Sequence, residues 1–257
     1  MSTPLLQARG LSASIGGRCI VESLDLKLDA GERLAILGRN GAGKTTLLHT
    51  LAGLRAPAAG MVRLAGTPID ALGGRQAAQL RGLLAQHQVD AFPATVLETA
   101  LVGRHPHLGR WDWEKPTDER IAREALAALG LSDFALRDVR SLSGGERQRL
   151  AIAALLAQQP RLCLLDEPLA HLDLNHQMAV LELFSRLARE SAIGVVVVLH
   201  DVNLALRYAD RVLLLSGDGA WREGLAAETL SAETLSDLYG HPLRELRSAD
   251  QRYFLPQ

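Results

Sequence analysis

Apolar and polar positions along the chain follow two periods, one typical of strands and one typical of helices. Residues 24–28 alternate between apolar and charged side chains, as a half-exposed strand does. Short apolar runs of the kind found in buried strands occur at residues 33–37, 61–64, 83–85, 161–165, 194–199 and 211–215. Helical patterns occupy residues 44–52, 118–129, 145–157, 175–189 and 231–239. This alternation predicts an α/β core.

The pattern changes between residues 89 and 140. Three prolines interrupt this part of the chain, two tryptophans lie among charged residues, and residues 118–129 form its main amphipathic pattern. We interpret residues 89–140 as an inserted helical subdomain. Residues 1–88 and 141–257 then form the core with a β subdomain, and the whole chain, 1–257, is one domain. The tail from Arg244 onward carries no pattern that supports a prediction.

The charge balance argues against a nucleic-acid partner. Lys and Arg number 28 and Asp and Glu number 29, which gives a formal net charge of −1. A protein that binds nucleic-acid phosphates usually carries a basic surplus, and this chain has none. The apolar run Val195–Leu199 is far shorter than the roughly 20 residues that cross a bilayer. The sequence therefore predicts neither nucleic-acid binding nor a membrane span.

A glycine-rich segment between a strand and a helix matches the pattern of a phosphate-binding loop. Gly38–Thr45 reads GRNGAGKT, which fits G-x-x-x-x-G-K-[ST]. Its glycines let backbone N–H groups face an anion, the Lys44 cation suits the β- and γ-phosphates, and the Thr45 hydroxyl is placed for Mg²⁺. An incidental glycine-rich turn is the alternative, and the strand–loop–helix context disfavours it. The predicted nucleotide-binding residues are Gly38, Arg39, Asn40, Gly41, Ala42, Gly43, Lys44, Thr45 and Thr46.

Two adjacent carboxylates follow a second apolar strand. Residues 162–168 read LCLLDEP, so Asp166 ends the strand and Glu167 comes directly after it. An aspartate at this position holds Mg²⁺ in nucleotide-hydrolysing proteins, and a carboxylate beside the γ-phosphate can deprotonate the attacking water. If the strand continued, Glu167 would point to the opposite side from Asp166. An acidic turn after a core strand is the alternative, and the phosphate loop makes it the weaker one.

A third motif connects the chain to a known family. Leu142–Glu146 reads LSGGE and is followed by a helical run, so that Ser143, Gly144 and Gly145 form a second candidate anion site at a helix N-terminus. The chain here resembles the ATP-binding cassette ATPases over nearly its whole length. Glu146 stands where the family usually has Gln. The resemblance implies a homodimer in which this segment closes over the γ-phosphate bound by the partner copy.

The resemblance also implies a fold and further site residues. The expected fold is a P-loop NTPase cassette with a RecA-like core, an N-terminal antiparallel β subdomain and an inserted α-helical subdomain. Gln86 matches the residue that contacts Mg²⁺ and water, Asp173 matches a loop at the dimer interface, and His200 matches a histidine that contacts the γ-phosphate. Ile15 stands where an aromatic residue normally stacks on adenine, which removes about 0.5–1.5 kcal/mol of stacking. The implied ligands are ATP and Mg²⁺.

Three segments resemble importer subunits for iron–siderophores, haem and cobalamin: LDLNHQ at residues 172–177, LHDVNLALRYADRVLLL at 199–215 and GRHPHLGRW at 103–111. The resemblance implies a peripheral subunit on the cytoplasmic face of a bacterial inner membrane, partnered by a multi-span permease dimer and, indirectly, a periplasmic substrate-binding protein. The histidines at 87, 105 and 107 are disfavoured as haem ligands, because they lie in a polar docking segment. A motor for another cargo or an exporter is the alternative, and a non-transport cassette ATPase a more remote one.

Overall fold

The computed structural model describes residues 3–86, 93–109, 111–248 and 251–257. Its strands are β1 (Leu6–Ile15), β2 (Arg18–Leu28), β3 (Arg33–Gly38), β4 (Ala59–Leu64), β5 (Thr67–Pro68), β6 (Arg81–Leu84), β7 (Leu162–Asp166), β8 (Gly194–Val198), β9 (Arg211–Leu215), β10 (Trp221–Leu225), β11 (Leu243–Ser248) and β12 (Gln251–Pro256). Its α-helices are α1 (Lys44–Leu51), α2 (Gly74–Leu80), α3 (Val96–Leu101), α4 (Pro116–Ala128), α5 (Gly144–Ala157), α6 (Leu174–Ser191), α7 (Val202–Tyr208), α8 (Ala226–Thr229) and α9 (Ala232–Tyr239). None of the helices in these ranges is long and apolar enough to cross a bilayer.

The central sheet of the described chain has six strands in the order β10-β9-β3-β8-β7-β6. All neighbours pair in parallel except β10, which runs antiparallel to β9 at one edge. Val198 lies between Ile36 of β3 and Asp166 of β7 in the register. The carboxyl ends of β3, β7 and β8 therefore meet at one edge of the sheet, which is where ligands bind in open α/β sheets.

Alternate side chains of β3 enter two different hydrophobic cores, as the period of a strand requires. Leu34 and Ile36 pack with α1 and with the antiparallel sheet β2-β1-β4-β5. Ala35 and Leu37 pack on the other face, against the helical side of the molecule. This double coverage explains why β3, β7 and β8 read as continuous apolar runs in the sequence. The α/β core is confirmed, as is the antiparallel sheet formed by the N-terminal strands.

Helices α3, α4 and α5 pack on one another beside the central sheet. Helix α4 begins with Pro116 at its first turn, where a missing N–H is harmless, and buries Ala122 and Leu126. The helix predicted at 118–129 is thus present; it begins two residues earlier and ends one residue earlier than predicted. The proposed division of the chain at residues 88/89 and 140/141 stays a prediction.

A hairpin of β11 and β12 follows the last helix, in the part of the sequence that supported no prediction. Its strands expose most of their side chains, and Phe254 alone among the residues of the two strands that the structure describes is buried. Asn203 of α7 holds the hairpin: its Oδ1 accepts from the Phe254 N–H at 2.8 Å, and its Nδ2 donates to the Phe254 carbonyl at 3.2 Å. The hairpin therefore depends on a distant side chain more than on its own apolar pattern.

Candidate active site

The phosphate loop lies between β3 and α1, as predicted. Gly43 caps α1 with φ 93°, and a Cβ there would lie 2.4 Å from the Ile20 side chain. At Gly38 a Cβ would lie 2.6 Å from the Leu215 carbonyl oxygen. Side chains at these two positions would collide with the core beneath the loop. The glycines thus bring the loop close to β2 and β9 and leave its outer surface to the ligand.

Lys44, the first residue of α1, is 6% exposed. Its Nζ donates to the carbonyl oxygens of Gly38 at 2.9 Å and Arg39 at 3.1 Å. Burial lowers the pKa of Lys44, and the nearby carboxylates of Glu167 and Asp166 act in the opposite direction. A cation held in so little water gains from an incoming anion, which suits a phosphate-binding role.

Asp166 lies at the end of β7 with no exposed surface. Burial raises the pKa of its carboxyl, and the Thr45 hydroxyl acts against that rise. Within the described residues, neither of its carboxylate oxygens makes a hydrogen bond of normal geometry. A buried carboxylate without partners, next to a hydroxyl, is a donor set that fits Mg²⁺, which takes one or two protein oxygens and completes its shell with phosphate and water. Thr45 and Asp166 are therefore candidate metal ligands.

Glu167 turns away from the direction of the strand. Strand β7 ends at Asp166, and Glu167 adopts a φ of 50°, which is costly for a residue with a Cβ and is found mostly at functional sites. Its Oε1 lies 2.7 Å from His200 Nε2, and its Oε2 accepts from Gln86 Nε2 at 3.0 Å. The backbone therefore leaves the strand conformation at Glu167. The three predicted catalytic residues thus meet in one cluster.

The phosphate loop and the cluster of Glu167, Gln86 and His200 line one open cleft of about 470 Å³. We call it the nucleotide cleft; its lining residues are Ile15, Asn40, Gly41, Gly43, Lys44, Thr45, Thr46, Gln86, Glu167 and His200. Ile15 is 47% exposed at the end of β1. None of these described lining residues is Phe, Tyr or Trp.

The segment Leu142–Glu146 lies elsewhere. Ser143 caps α5, and its Oγ accepts from the Glu146 N–H at 3.3 Å while Glu146 Oε2 accepts from the Ser143 N–H at 2.6 Å. This is a reciprocal capping box, so a carboxylate here performs a definite structural task. The Ser143 N–H also lowers the pKa of Glu146.

Asp173 is the N-cap residue of α6. Its Oδ1 accepts from the His176 N–H at 2.9 Å and lies 2.8 Å from His176 Nδ1. Asp173 and Ser143 share a pocket of about 480 Å³, the signature pocket, lined by Ser143, Gly144, Gly145, Glu146, Arg149, His171, Leu172, Asp173 and His176. It has no lining residue in common with the nucleotide cleft. One chain therefore presents two separate candidate sites.

Two further residues contact the site and were missed by the sequence reasoning. Arg18 donates to the Gly41 carbonyl of the phosphate loop at 3.1 Å. Gln148 of α5 donates from Nε2 to the Pro168 carbonyl at 3.0 Å, which connects α5 to the loop after Glu167. Each of them acts on a backbone carbonyl at least 20 residues away, a contact that a local sequence pattern does not reveal.

The predicted docking segment is partly described. His87 and Arg110 lie outside the described residues. His105 and His107 are exposed, and His107 Nε2 lies 2.8 Å from the Gln158 carbonyl oxygen. That contact gives His107 a structural role at the end of α5.

The fold and the cleft define a P-loop ATPase, and comparison with known proteins gives the family. Residues 21–170 match the sequence profile of the ABC transporter family. The chain is 43% identical over 245 residues to the hemin import ATP-binding protein HmuV of Deinococcus radiodurans, covering 93% of this chain and 92% of that protein. It is 42% identical to the protein of the same name from Gloeobacter violaceus, covering 92% and 87%. The chain belongs to the ABC transporter family, as an ATP-binding subunit.

Solved structures agree with this assignment. A metal-chelate type ABC transporter in an inward-facing conformation superposes with a TM-score of 0.86 at 30% identity, over 99% of this chain and 98% of that one. A dimeric ATP-binding cassette in a post-hydrolysis state with ADP and Pi gives a TM-score of 0.75 at 27% identity, over 86% and 98%. The cassette fold is confirmed. ABC cassettes hydrolyse ATP to drive transport, dimerise and work with a membrane permease, and this chain is an ATPase of that kind.

Proposed function

We propose that this chain powers the import of a metal chelate, with haem or an iron–siderophore ahead of cobalamin as the cargo. The observation that carries the proposal is the likeness, over more than nine-tenths of the chain, to proteins named for hemin import and to a metal-chelate transporter. The cargo would be selected by the permease and by a periplasmic binding protein. This subunit would lie on the other side of the membrane and would not contact the cargo. The chain would work at the cytoplasmic face.

In the proposed reaction the phosphate loop and Lys44 bind the triphosphate of ATP in the nucleotide cleft. Thr45 and Asp166 would hold Mg²⁺, which neutralises charge on the β- and γ-phosphates when bound. Glu167 acts as the general base and takes a proton from the water whose oxygen bonds to the γ-phosphorus. The bond from that phosphorus to the bridging oxygen breaks, and ADP leaves with the electron pair.

Gln86 and His200 control where the Glu167 carboxylate points. Each of its oxygens contacts one of these two side chains and keeps a further lone pair that can accept a hydrogen bond, and then a proton, from water. His200 is half exposed at the mouth of the cleft, where its imidazole could also reach a bound γ-phosphate. We therefore assign Gln86 and His200 a positioning role: they orient the Glu167 carboxylate, the attacking water and the γ-phosphate.

The signature pocket of a second copy completes the site in this proposal. The N–H groups of Gly144 and Gly145 begin the 14-residue helix α5, whose N-terminus favours an anion. The Ser143 hydroxyl and the loop at Asp173 lie on the same surface. Closing two copies head to tail would place this surface over the γ-phosphate, and the closure would be passed to the permease through the segment that begins at Gln86.

Reconstitution in liposomes with the co-purified permease and its binding protein tests the function. ATP-dependent uptake of haem, a ferric siderophore and cobalamin would be measured in parallel, with the Glu167→Gln subunit as the control without hydrolysis. Uptake of haem or the siderophore is expected. Transport of a sugar, an amino acid or a lipid with none of the three chelates, or outward transport, would overturn the cargo assignment and leave the ATPase intact.

A further inference from the structure

Arg18 connects three segments around the nucleotide cleft. It begins β2 and is the cross-strand partner of Ile15 at the end of the first hairpin. Its Nη1 donates to the Gly41 carbonyl of the phosphate loop at 3.1 Å, and its Nε donates to the Gly217 carbonyl at 2.8 Å. One planar guanidinium with donors at fixed angles thus fastens the hairpin to the loop and to the turn after β9.

The packing around this connection leaves little room for it to shift. Gly217 has a φ of 87°, and a Cβ there would lie 2.8 Å from Arg18 Nη2 and 3.2 Å from the Ala42 Cα. The turn after β9 therefore presses directly on both the arginine and the phosphate loop. On the opposite side, the Ile20 side chain of β2 lies against Gly43.

The geometry points to Arg18 as a positioning residue that fixes the spacing between the place of the base, at Ile15, and the place of the phosphates, at the loop. This goes beyond the transport function and rests on one expectation from the family resemblance, the placing of adenine at Ile15. An isoleucine offers the base contact area without stacking, so binding of the base here depends on van der Waals contacts, which are lost when a gap opens between the two surfaces. A preformed spacing removes an ordering cost from binding.

The proposed role of Arg18 predicts different effects on the affinities for two ligands. ATP has to contact Ile15 and the phosphate loop together, whereas inorganic triphosphate contacts only the loop. Losing Arg18 should therefore weaken ATP much more than triphosphate. A residue that merely shaped the loop would weaken both equally, and a residue that merely supported the fold would be seen in the melting temperature.

The experiment measures Kd by calorimetry for Mg²⁺-ATP and Mg²⁺-triphosphate in the parent, Arg18→Ala, Arg18→Lys and Arg55→Ala chains. Arg55 is the matched control, because its Nη2 donates to the Ser14 carbonyl of the same hairpin at 2.9 Å. For Arg18→Ala we expect about a tenfold weaker ATP affinity and less than about a twofold change for triphosphate, the size expected when hydrogen bonds from a charged donor are lost. Arg18→Lys keeps the positive charge but cannot make both hydrogen bonds, so its ATP affinity should lie between those of the parent and Arg18→Ala. Arg55→Ala should match the parent.

The steady-state constants give an independent readout: KM for ATP should rise in Arg18→Ala while kcat at saturation stays within about twofold. Equal weakening of ATP and triphosphate, no weakening of ATP, or the same loss in Arg55→Ala would each overturn the inference. If Arg18→Ala does not fold, the Arg18→Lys ratio decides by the same criteria. A parent chain that binds ATP no better than triphosphate would refute the placing of adenine at Ile15, and the transport proposal would still stand.

Discussion

The nucleotide cleft and the signature pocket have similar volumes, about 470 and 480 Å³, but they treat their polar groups in opposite ways. At the cleft, Asp166 is buried without a hydrogen bond of normal geometry and Lys44 is desolvated. In the signature pocket, Ser143 and Asp173 are satisfied by their own helices. The cleft is therefore ready for a charged ligand, while these polar groups of the pocket are satisfied without one.

Glu167→Gln should give the largest effect on the cleft side. The amide keeps the shape of the side chain but cannot take a proton, so hydrolysis should fall by at least about a hundredfold while ATP binding is retained. Phosphate release and ATP affinity would be measured, and gel filtration should show an ATP-bound dimer. Glu182→Gln, on the exposed side of α6, is the control. Activity above about a tenth of the parent rate would show that another group acts as the base.

Mixing two inactive variants tests whether the two regions act together across copies. Lys44→Ala disables the cleft, and Ser143→Arg fills the signature pocket. A mixed dimer would keep one intact pair of surfaces, whereas neither homodimer would keep any, so ATPase activity should rise several-fold on mixing. Each variant measured alone at the same total concentration is the control. If activity never recovers, a site composed in trans is wrong or both sites have to act together.

Asp166→Asn should change stability and activity in opposite directions, with a higher melting temperature and a lower ATPase activity. Because burial raises the pKa of Asp166, the ionised carboxylate lowers the stability of the fold above its folded-state pKa, and this penalty disappears below the unfolded-state pKa. The amide should therefore raise the Tm of the nucleotide-free chain near neutral pH by about 2–4 °C. The gain should shrink as the pH falls through the carboxylate range, and ATPase activity supported by Mg²⁺ should be lost.

Melting curves at about pH 8 and about pH 5 check this sign, with Asp237→Asn on the exposed face of α9 as the control. A lower Tm for Asp166→Asn at the higher pH would mean that the carboxylate stabilises the empty cleft, and the contrast with the signature pocket would then be wrong.

Ile15→Tyr should give the smallest effect. A tyrosine at this exposed position can stack on adenine, which adds about 0.5–1.5 kcal/mol and tightens ATP about two- to tenfold. The affinity for inorganic triphosphate should stay the same. Leu136→Tyr, at another exposed apolar position, controls for surface changes. If ATP binding does not tighten, the base does not lie on Ile15.

Much of the cleft could be predicted from the sequence because its chemistry is local. The glycines at 38 and 43 and the apolar run of β3 directly reflect close packing and burial. The end of β7 at Asp166 was predicted for the same reason. The left-handed turn at Glu167 was not, since it depends on side chains that arrive from Gln86 and His200.

Features that rest on long-range contacts left no sign in the sequence. Arg18 is 23 residues from Gly41 and 199 residues from Gly217. The strands of the hairpin β11–β12 are mostly exposed, so no face of it reads as buried. Such contacts are set by the assembled fold, and a local pattern cannot predict them.

The clasp between Asn203 and Phe254 has a consequence for the order in which the molecule forms. These partners are 51 residues apart, and Asn203 lies three residues after His200. During synthesis, α7 is made well before the strand that holds it, and β3 with its phosphate loop has to wait for its neighbours β8 and β9, which end at residue 215. Since domains generally fold as units, we expect newly made chains to complete the surroundings of His200 only after β12 has been made.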